Sequence, residues 1–138
     1  MSTFRLSPVA ETPTAVEFLY ELLKERKVIE SISHKSMPTW EEHKAYITNS
    51  PVRFAGHYVI LDGEALIGQV YISHQRECGI WLMPDARGKG AASWALEELL
   101  KRHPGKCYTN VAILNEPALK WWRKMGFRDL QRTLVRDS

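Results

Sequence analysis

The stretch Pro84 to Ser93 reads PDARGKGAAS, and its core, Arg87-Gly88-Lys89-Gly90-Ala91-Ala92, is suited to hold an anion. It falls between an apolar run that reads as a strand and a segment that reads as a helix. At a helix N-terminus the first backbone N–H groups lack intrahelical partners and carry the positive end of the dipole. Glycine there allows unusual φ and lets a ligand approach the backbone, so the turn suits a phosphate or pyrophosphate, with Arg87 and Lys89 adding charge. Neither GxxxxGK[ST] nor GxGxxG is completed. Taken alone, the string reads first as a glycine-rich loop with solvated basic side chains.

A second unusual stretch is NEPALKWWRKMGF, residues 115–127. Consecutive helical residues sit roughly 100° apart, so Trp121 and Trp122 need a broad apolar face. Ala118, Trp122 and Met125 fall on one side, Trp121 lies at its edge, and Lys120, Arg123 and Lys124 take the opposite arc. Cys78 and Cys107 have neither CxxC nor His/Cys metal spacing. They read as buried free thiols in a reducing compartment, and no metal site is expected.

These residues need a scaffold. TFRLSPV alternates weakly, as a first strand would. Pro13 with the Thr14/Glu17 pair predicts a helix over 13–27, and Thr39/Glu42 predicts a second, shorter one through Ile47 before TNSP breaks it. In HYVILDGEALIGQVYIS, Asp62-Gly63 between two apolar runs is a strong hairpin signal. Residues 77–83 read as the next strand. A helix follows with Ala92, Ala95, Leu96, Leu99 and Leu100 inward. CYTNVAIL then reads as a buried strand, Pro117 opens the tryptophan helix, Gly126 closes it, and FRDLQRTLV reads as a last strand. The order predicts one α/β domain over residues 1–138 with a mixed sheet.

The two marked stretches together resemble the GNAT (GCN5-related) N-acetyltransferases. That family's pyrophosphate-loop signature, Q/R-x-x-G-x-G/A, is filled by Arg87, Gly90 and Ala92. Its later register of Asn, Ala, an aromatic and Gly-Phe is met by Asn115, Ala118, Trp122, Gly126 and Phe127. The resemblance covers about Glu77 to Phe127. It implies central antiparallel strands, parallel fourth and fifth strands splayed around acyl-CoA, and about four helices. It also implies that Arg87, Gly88, Lys89, Gly90, Ala91 and Ala92 cradle acetyl-CoA, with Asn115 and Trp122 nearby. The pantetheine arm would pair with backbone around Ile80 to Leu82, and a backbone N–H near Leu82 would hold the oxyanion. Such a preorganised donor is worth about 3 kcal/mol of barrier.

An amine near pKa 10 is mostly protonated at neutral pH, so a base is implied. Glu77 is the first candidate, the alternative for it being a carboxylate that simply faces water; His74 and His57 are the other candidates. Some relatives carry a glutamate five residues before the motif Asn, where this chain has Asn110. The family's leaving-group acid is commonly a Tyr seven residues after that Asn, where this chain has Trp122. An indole N–H donates a hydrogen bond but does not release its proton at physiological pH. Water, Tyr108, or direct loss of thiolate would substitute.

On the acceptor side, ISHKSMPTWEEHKAYI brings together His34, Lys35, Ser36, Met37, Trp40 and His43. His34, Trp40 and His74 are the expected acceptor contacts. Lys35, Lys44 and Arg53 would favour a phosphate-bearing acceptor, whereas Glu30, Glu41 and Glu42 would favour a basic one. The expected activity is acetyl transfer from acetyl-CoA to a primary amine, such as an amino sugar or other small amine. The alternatives are a protein (lysine or N-terminal) acetyltransferase and a catalytically weak acyl-CoA-binding sensor module.

Composition narrows the field further. Hydrophobic residues make up 44% and charged residues 25%, ordinary for a globular chain. A net charge of +3, from 19 basic and 16 acidic side chains spread over several elements, argues against a nucleic-acid surface. No apolar run reaches the roughly 18 residues of a membrane span, and MSTFRLSPVAETP lacks a signal core. The expected location is therefore cytoplasmic, and a homodimer is left open.

Overall fold

A computed structural model describes residues 3–26 and 37–137. His34, Lys35, Ser36 and Glu30 therefore lie outside the described residues. The first strand, β1 (Phe4–Pro8), leads through a 3-10 turn to α1 (Ala15–Lys24). Then come α2 (Trp40–Thr48), the short α3 (Ser50–Arg53), and strands β2 (Phe54–Asp62), β3 (Ala65–Ser73) and β4 (Cys78–Leu82). A 3-10 turn at Pro84–Ala86 leads into α4 (Ala91–Arg102), and α5 (Glu116–Lys124) follows. No helix among the described residues is long and apolar enough to cross a membrane.

The four strands form an antiparallel sheet in the order β1-β2-β3-β4. The expected hairpin joins β2 and β3, with its two-residue turn at Gly63 (φ +61°) and Glu64 rather than at Asp62-Gly63, because Asp62 pairs with Ala65. Side chains alternate between the two faces, and each face carries a core. On one, Ile60, Val70, Ile72, Cys78 and Leu82 pack against Ala95, Leu96 and Leu99 of α4 and Trp122 of α5. On the other, Val59 and Leu61 pack against Leu19 and Leu22 of α1 and Ile47 of α2. Both cysteines are free thiols. Burial, then the neighbouring Cys107, pushes the Cys78 thiol well above its ordinary range.

The two capping boxes fare differently. Thr39 accepts from the Glu42 N–H at 3.1 Å while Glu42 Oε1 accepts from the Thr39 N–H at 2.8 Å, closing the box. Thr14 makes no side-chain cap, because its ψ of 14° is far from the extended value a capping residue needs. Thr12 shapes that entry instead: its hydroxyl donates to the Pro8 carbonyl at 2.7 Å.

Two expected strands are corrected. In residues 107–114 a single parallel bridge forms, Glu77 with Tyr108, and no named strand follows. Ile113 and Leu114 are 85% and 69% exposed rather than buried. Residues 127–135 carry no strand, and Leu130, Leu134 and Val135 are exposed. An apolar run becomes a strand only where a neighbour takes its backbone N–H and C=O groups, and apart from the bridge at Tyr108 neither stretch forms such a ladder among the described residues. The parallel, splayed fifth strand is thus reduced to its root beside β4.

Candidate active site

β4 shows why its far edge can receive a ligand. In an antiparallel pair, alternate residues point both backbone groups at the partner strand. The Cys78 N–H points away from β3, donating to the Tyr108 carbonyl at 2.7 Å, and the Cys78 carbonyl accepts from the Thr109 hydroxyl at 2.9 Å. The two-residue alternation then directs the Ile80 and Leu82 N–H groups, and the Ile80 carbonyl, into the same gap. Beyond Tyr108 no strand of the described residues fills that gap. The chain therefore leaves the Ile80 and Leu82 backbone groups without a neighbouring strand among the described residues.

The gap leads to the glycine-rich loop. Gly88 and Gly90 have φ of +80° and +83°, a region that L side chains rarely adopt. Gly90 is the N-cap of α4, and no side chain caps that helix. The Trp94 N–H bonds back to the Gly90 carbonyl at 3.1 Å, so the N–H groups of Ala91, Ala92 and Ser93 precede the intrahelical ladder. Arg87 and Lys89 are exposed beside them. The Arg87 guanidinium also donates to the Leu82 carbonyl at 3.3 Å and lies 5.0 Å from the Trp81 ring, pinning the loop to the end of β4. Gly90→Val should strain this turn by about 1–3 kcal/mol. The expected outcome is a lower Tm together with loss of acetyl-CoA stabilisation, read by thermal denaturation with and without the cosubstrate.

Asn115 caps α5, its side-chain oxygen accepting from the Ala118 N–H at 3.3 Å. At the other end, Gly126 N–H donates to Arg123 and Phe127 N–H to Trp122, a Schellman closure with Gly126 at φ +97°. Trp122 is 7% exposed and sits edge-on to Trp121 and to Phe127, each at 4.9 Å. Glu77 is exposed, and one of its carboxylate oxygens accepts from the Asn110 amide at 2.5 Å. The two positions considered for a base thus meet at the root of the gap. At about 3.3 Å of rise per residue, Glu77 lies roughly 16 Å along β4 from Leu82, so any proton it takes from there travels through water.

On the opposite face, α1, α2 and the β2–β3 hairpin enclose a cavity of about 210 Å³. Its floor is a cross-strand row, His57 opposite Tyr71 and Tyr71 opposite Gly79. Gly79 has no side chain, and a Cβ there would strike the Tyr71 phenol, so Tyr71 lies over β4. Phe54 packs on both, 4.8 Å from Tyr71 and 4.9 Å from His57. His57 is held at both nitrogens, Nδ1 by Ser50 Oγ at 2.8 Å and Nε2 by Gln69 Oε1 at 2.9 Å. Both His57 ring nitrogens are thus engaged within the fold. Burial lowers its pKa, and burial also raises that of the Tyr71 phenol.

Of the expected acceptor residues, His34 is outside the described residues, and Trp40 and His74 do not line this cavity. Trp40 stacks on His43 and meets Tyr20 edge-on. His74 is exposed, with Nε2 bonded to the Pro51 carbonyl at 2.9 Å. Lys44 pairs with Glu41 at 3.3 Å, and Arg53 stacks 3.8 Å from the Tyr46 ring centre and donates to the Tyr46 carbonyl. The Phe54, Gln69 and Tyr71 walls were not among the sequence candidates.

His43, His57 and His103 all have lowered pKa values, with burial as the first cause in each. A histidine whose folded pKa falls below its unfolded value of about 6.5 binds protons better when unfolded. Its contribution is complete above that value and is lost as pH falls through the folded pKa. Urea midpoints should therefore stay level from pH 8 to 7 and decline below about pH 6.5; a midpoint that rises on acidification contradicts this.

Comparison with known proteins identifies the family and the fold. The acetyltransferase (GNAT) family profile matches residues 16–127, and the chain belongs to that family. A peptidyl-lysine N-acetyltransferase, YjaB, of Salmonella typhimurium is 30% identical over 78 residues. That match covers 56% of this chain and 53% of the relative, so the chain spans about half the relative's length. The fold is shared with a spermidine N-acetyltransferase from Vibrio cholerae crystallised with CoA and spermine, at TM-score 0.77 and 20% identity, over 94% of this chain and 83% of that one. It is shared too with AAC(6')-Iy in complex with a CoA-linked acetylneamine bisubstrate analogue, at TM-score 0.71 and 15% identity, over 98% and 96% of the two chains.

Proposed function

We propose that this chain transfers the acetyl group of acetyl-CoA to a primary amine by direct attack on the thioester. The carrying observation is the open edge of β4, where the alternation turns the Ile80 and Leu82 N–H groups into a gap that ends at the uncapped N-terminus of α4. The residues present fit the cosubstrate: Gly88, Gly90 and the first N–H groups of α4 would hold the pyrophosphate. Backbone of Ile80 and Leu82 would hold the pantetheine arm, and the Leu82 N–H the developing oxyanion. The amine nitrogen bonds to the carbonyl carbon and the carbon–sulfur bond breaks, releasing CoA thiolate. The amine's proton leaves through water to Glu77. A thiol near pKa 8.5 is a tolerable leaving group, so no side-chain acid is required at the Trp122 register.

The amine would enter through the aromatic cavity, whose Tyr71 phenol overlies Gly79 of β4. A second reading, an acyl-CoA-binding module with weak catalysis, is favoured by the burial of Trp122 at the register where the family resemblance implies a tyrosine acid. Acetyl-CoA should raise the Tm under either reading. An unchanged Tm at millimolar acetyl-CoA and CoA sinks both. Thiol release in the presence of amines then separates enzyme from binding module.

A further inference from the structure

We infer that the Tyr71 hydroxyl meets the acceptor's ammonium group in the cavity and relays its proton toward Glu77. This deepens the transferase reading above and rests on it, because that reading ends the proton's path at Glu77. The placement comes from a missing side chain. The Ser73 N–H donates to the Glu77 carbonyl at 2.8 Å, which carries the β3–β4 register on to Glu77. Residues i and i+2 of a strand share a face, so Glu77, Gly79 and Trp81 form one row on β4. Trp81 packs in the cluster with Leu19 and Val59, which puts the row on the cavity side of the sheet. The empty place at Gly79 is taken by the Tyr71 phenol, since a Cβ there would strike its hydroxyl oxygen and ring. At about 3.3 Å of rise per residue, the hydroxyl divides the path from Leu82 to Glu77 into steps of roughly 10 and 7 Å. Among the described residues Tyr71 lines the cavity and Glu77 does not, so the phenol stands at the wall between them.

The hydroxyl is also held still. Phe54 packs 4.8 Å from the Tyr71 ring, His57 meets that ring edge-on at 6.2 Å, and Ser50 and Gln69 fix His57 in turn. A hydroxyl has one donor and two acceptor sites, so it can take a proton on one side while giving one up on the other. His57 is poorly suited to this, because both its nitrogens are already engaged. Glu42 also lines the cavity, but its hydrogen bonds with Thr39 lower its pKa and make it a weaker proton acceptor. Burial raises the Tyr71 pKa; Arg26 opposes that rise, and Tyr46, Cys78 and Glu77 add to it. The phenol therefore works as a neutral relay rather than as a phenolate base. An N–H bond of the ammonium group breaks as its proton passes to the Tyr71 oxygen. The phenol's own O–H proton leaves through water to the Glu77 carboxylate. Tyr71 ends as it began, Glu77 is protonated, and the amine has the free lone pair that attacks the thioester.

The test measures thiol release by the whole chain with acetyl-CoA and four amines: spermidine, glucosamine, 2-phenylethylamine and an Nα-acetyl-lysine amide. The fastest of the four is carried forward. Tyr71→Phe removes only the hydroxyl and should lower kcat/KM for that amine by about tenfold or more, with KM for acetyl-CoA unchanged. Gly79→Ala keeps the hydroxyl but forces it out of the row, and should cause a similar loss in a protein whose urea midpoint shows it folded. The double variant separates a relay from packing. In a Glu77→Gln background, Tyr71→Phe should cost less than about twofold, because the path is already cut. A phenol that only packs would cost the same factor in both backgrounds. Full turnover in Tyr71→Phe or in folded Gly79→Ala, or an equal loss in both backgrounds, overturns the inference and leaves the transferase reading in place. No thiol release with any of the four amines, from a protein that acetyl-CoA stabilises, overturns both.

Discussion

Trp122→Ala should lower stability by about 3–5 kcal/mol, as truncating a buried aromatic does. For a chain of this size that is a fall in Tm of roughly 10–20 °C, and a sizeable share of the 5–15 kcal/mol that holds a typical domain together. The size follows from where the indole sits. It is 7% exposed in the cluster that joins the sheet to α4, it touches Trp121 and Phe127 edge-on, and its carbonyl closes the Schellman turn. Removing it leaves a cavity that three elements would have to collapse into. Trp122→Phe keeps a ring in that space and should retain most of the stability. Its turnover should stay within about threefold of wild type, because an indole is no proton donor to sulfur. Urea denaturation and thiol-release kinetics on the same two variants separate the roles. A Phe variant with normal stability and a collapsed rate would show that the indole N–H supports the leaving thiolate.

How much of this was legible depends on whether a feature is local. The hairpin and the Thr39/Glu42 box are set by residues within a few positions: the box formed as read, and the hairpin formed with its turn one residue later, at Gly63-Glu64, because Asp62 still pairs with Ala65. The glycines of the loop were legible because a positive φ beside a helix start demands them. The apolar runs 107–114 and 127–135 were legible as apolar but not as unpaired, since pairing is decided by distant chain. The cavity was hidden by a register shift. Counting from the Asp62–Ala65 pair would set His57 opposite Val70. The irregularity between Ile60 and Leu61 moves the pairing by one, so His57 faces Tyr71 instead. A one-residue shift decides which face of the sheet a side chain occupies. It is why His57, Gln69 and Tyr71 converge on one floor, while Trp40 and His74, nearer in appearance to an acceptor site, do not.

Glu77→Gln should slow turnover by about 10²-fold, the lower end of what a general base contributes, because the proton must cross water to reach it. Acetyl-CoA stabilisation should be unchanged, since the exposed carboxylate lies at the root of the gap, remote from the glycine loop. The partner residue makes a sharper test. Asn110 donates to the Glu77 carboxylate at 2.5 Å, so Asn110→Asp would set two carboxylates at hydrogen-bond distance. Two such groups cannot both ionise freely, and the pair then titrates with one apparent pKa raised. If Glu77 accepts the proton, the acidic limb of the kcat/KM profile must move to higher pH in that variant, with activity recovering in the alkaline range. A carboxylate that merely faces water would leave the profile where it was. Unchanged turnover in Glu77→Gln, or an unshifted acidic limb in Asn110→Asp, would remove Glu77 from the reaction. The attacking amine would then lose its proton to solvent, with the neutral fraction of the amine itself setting the pH dependence.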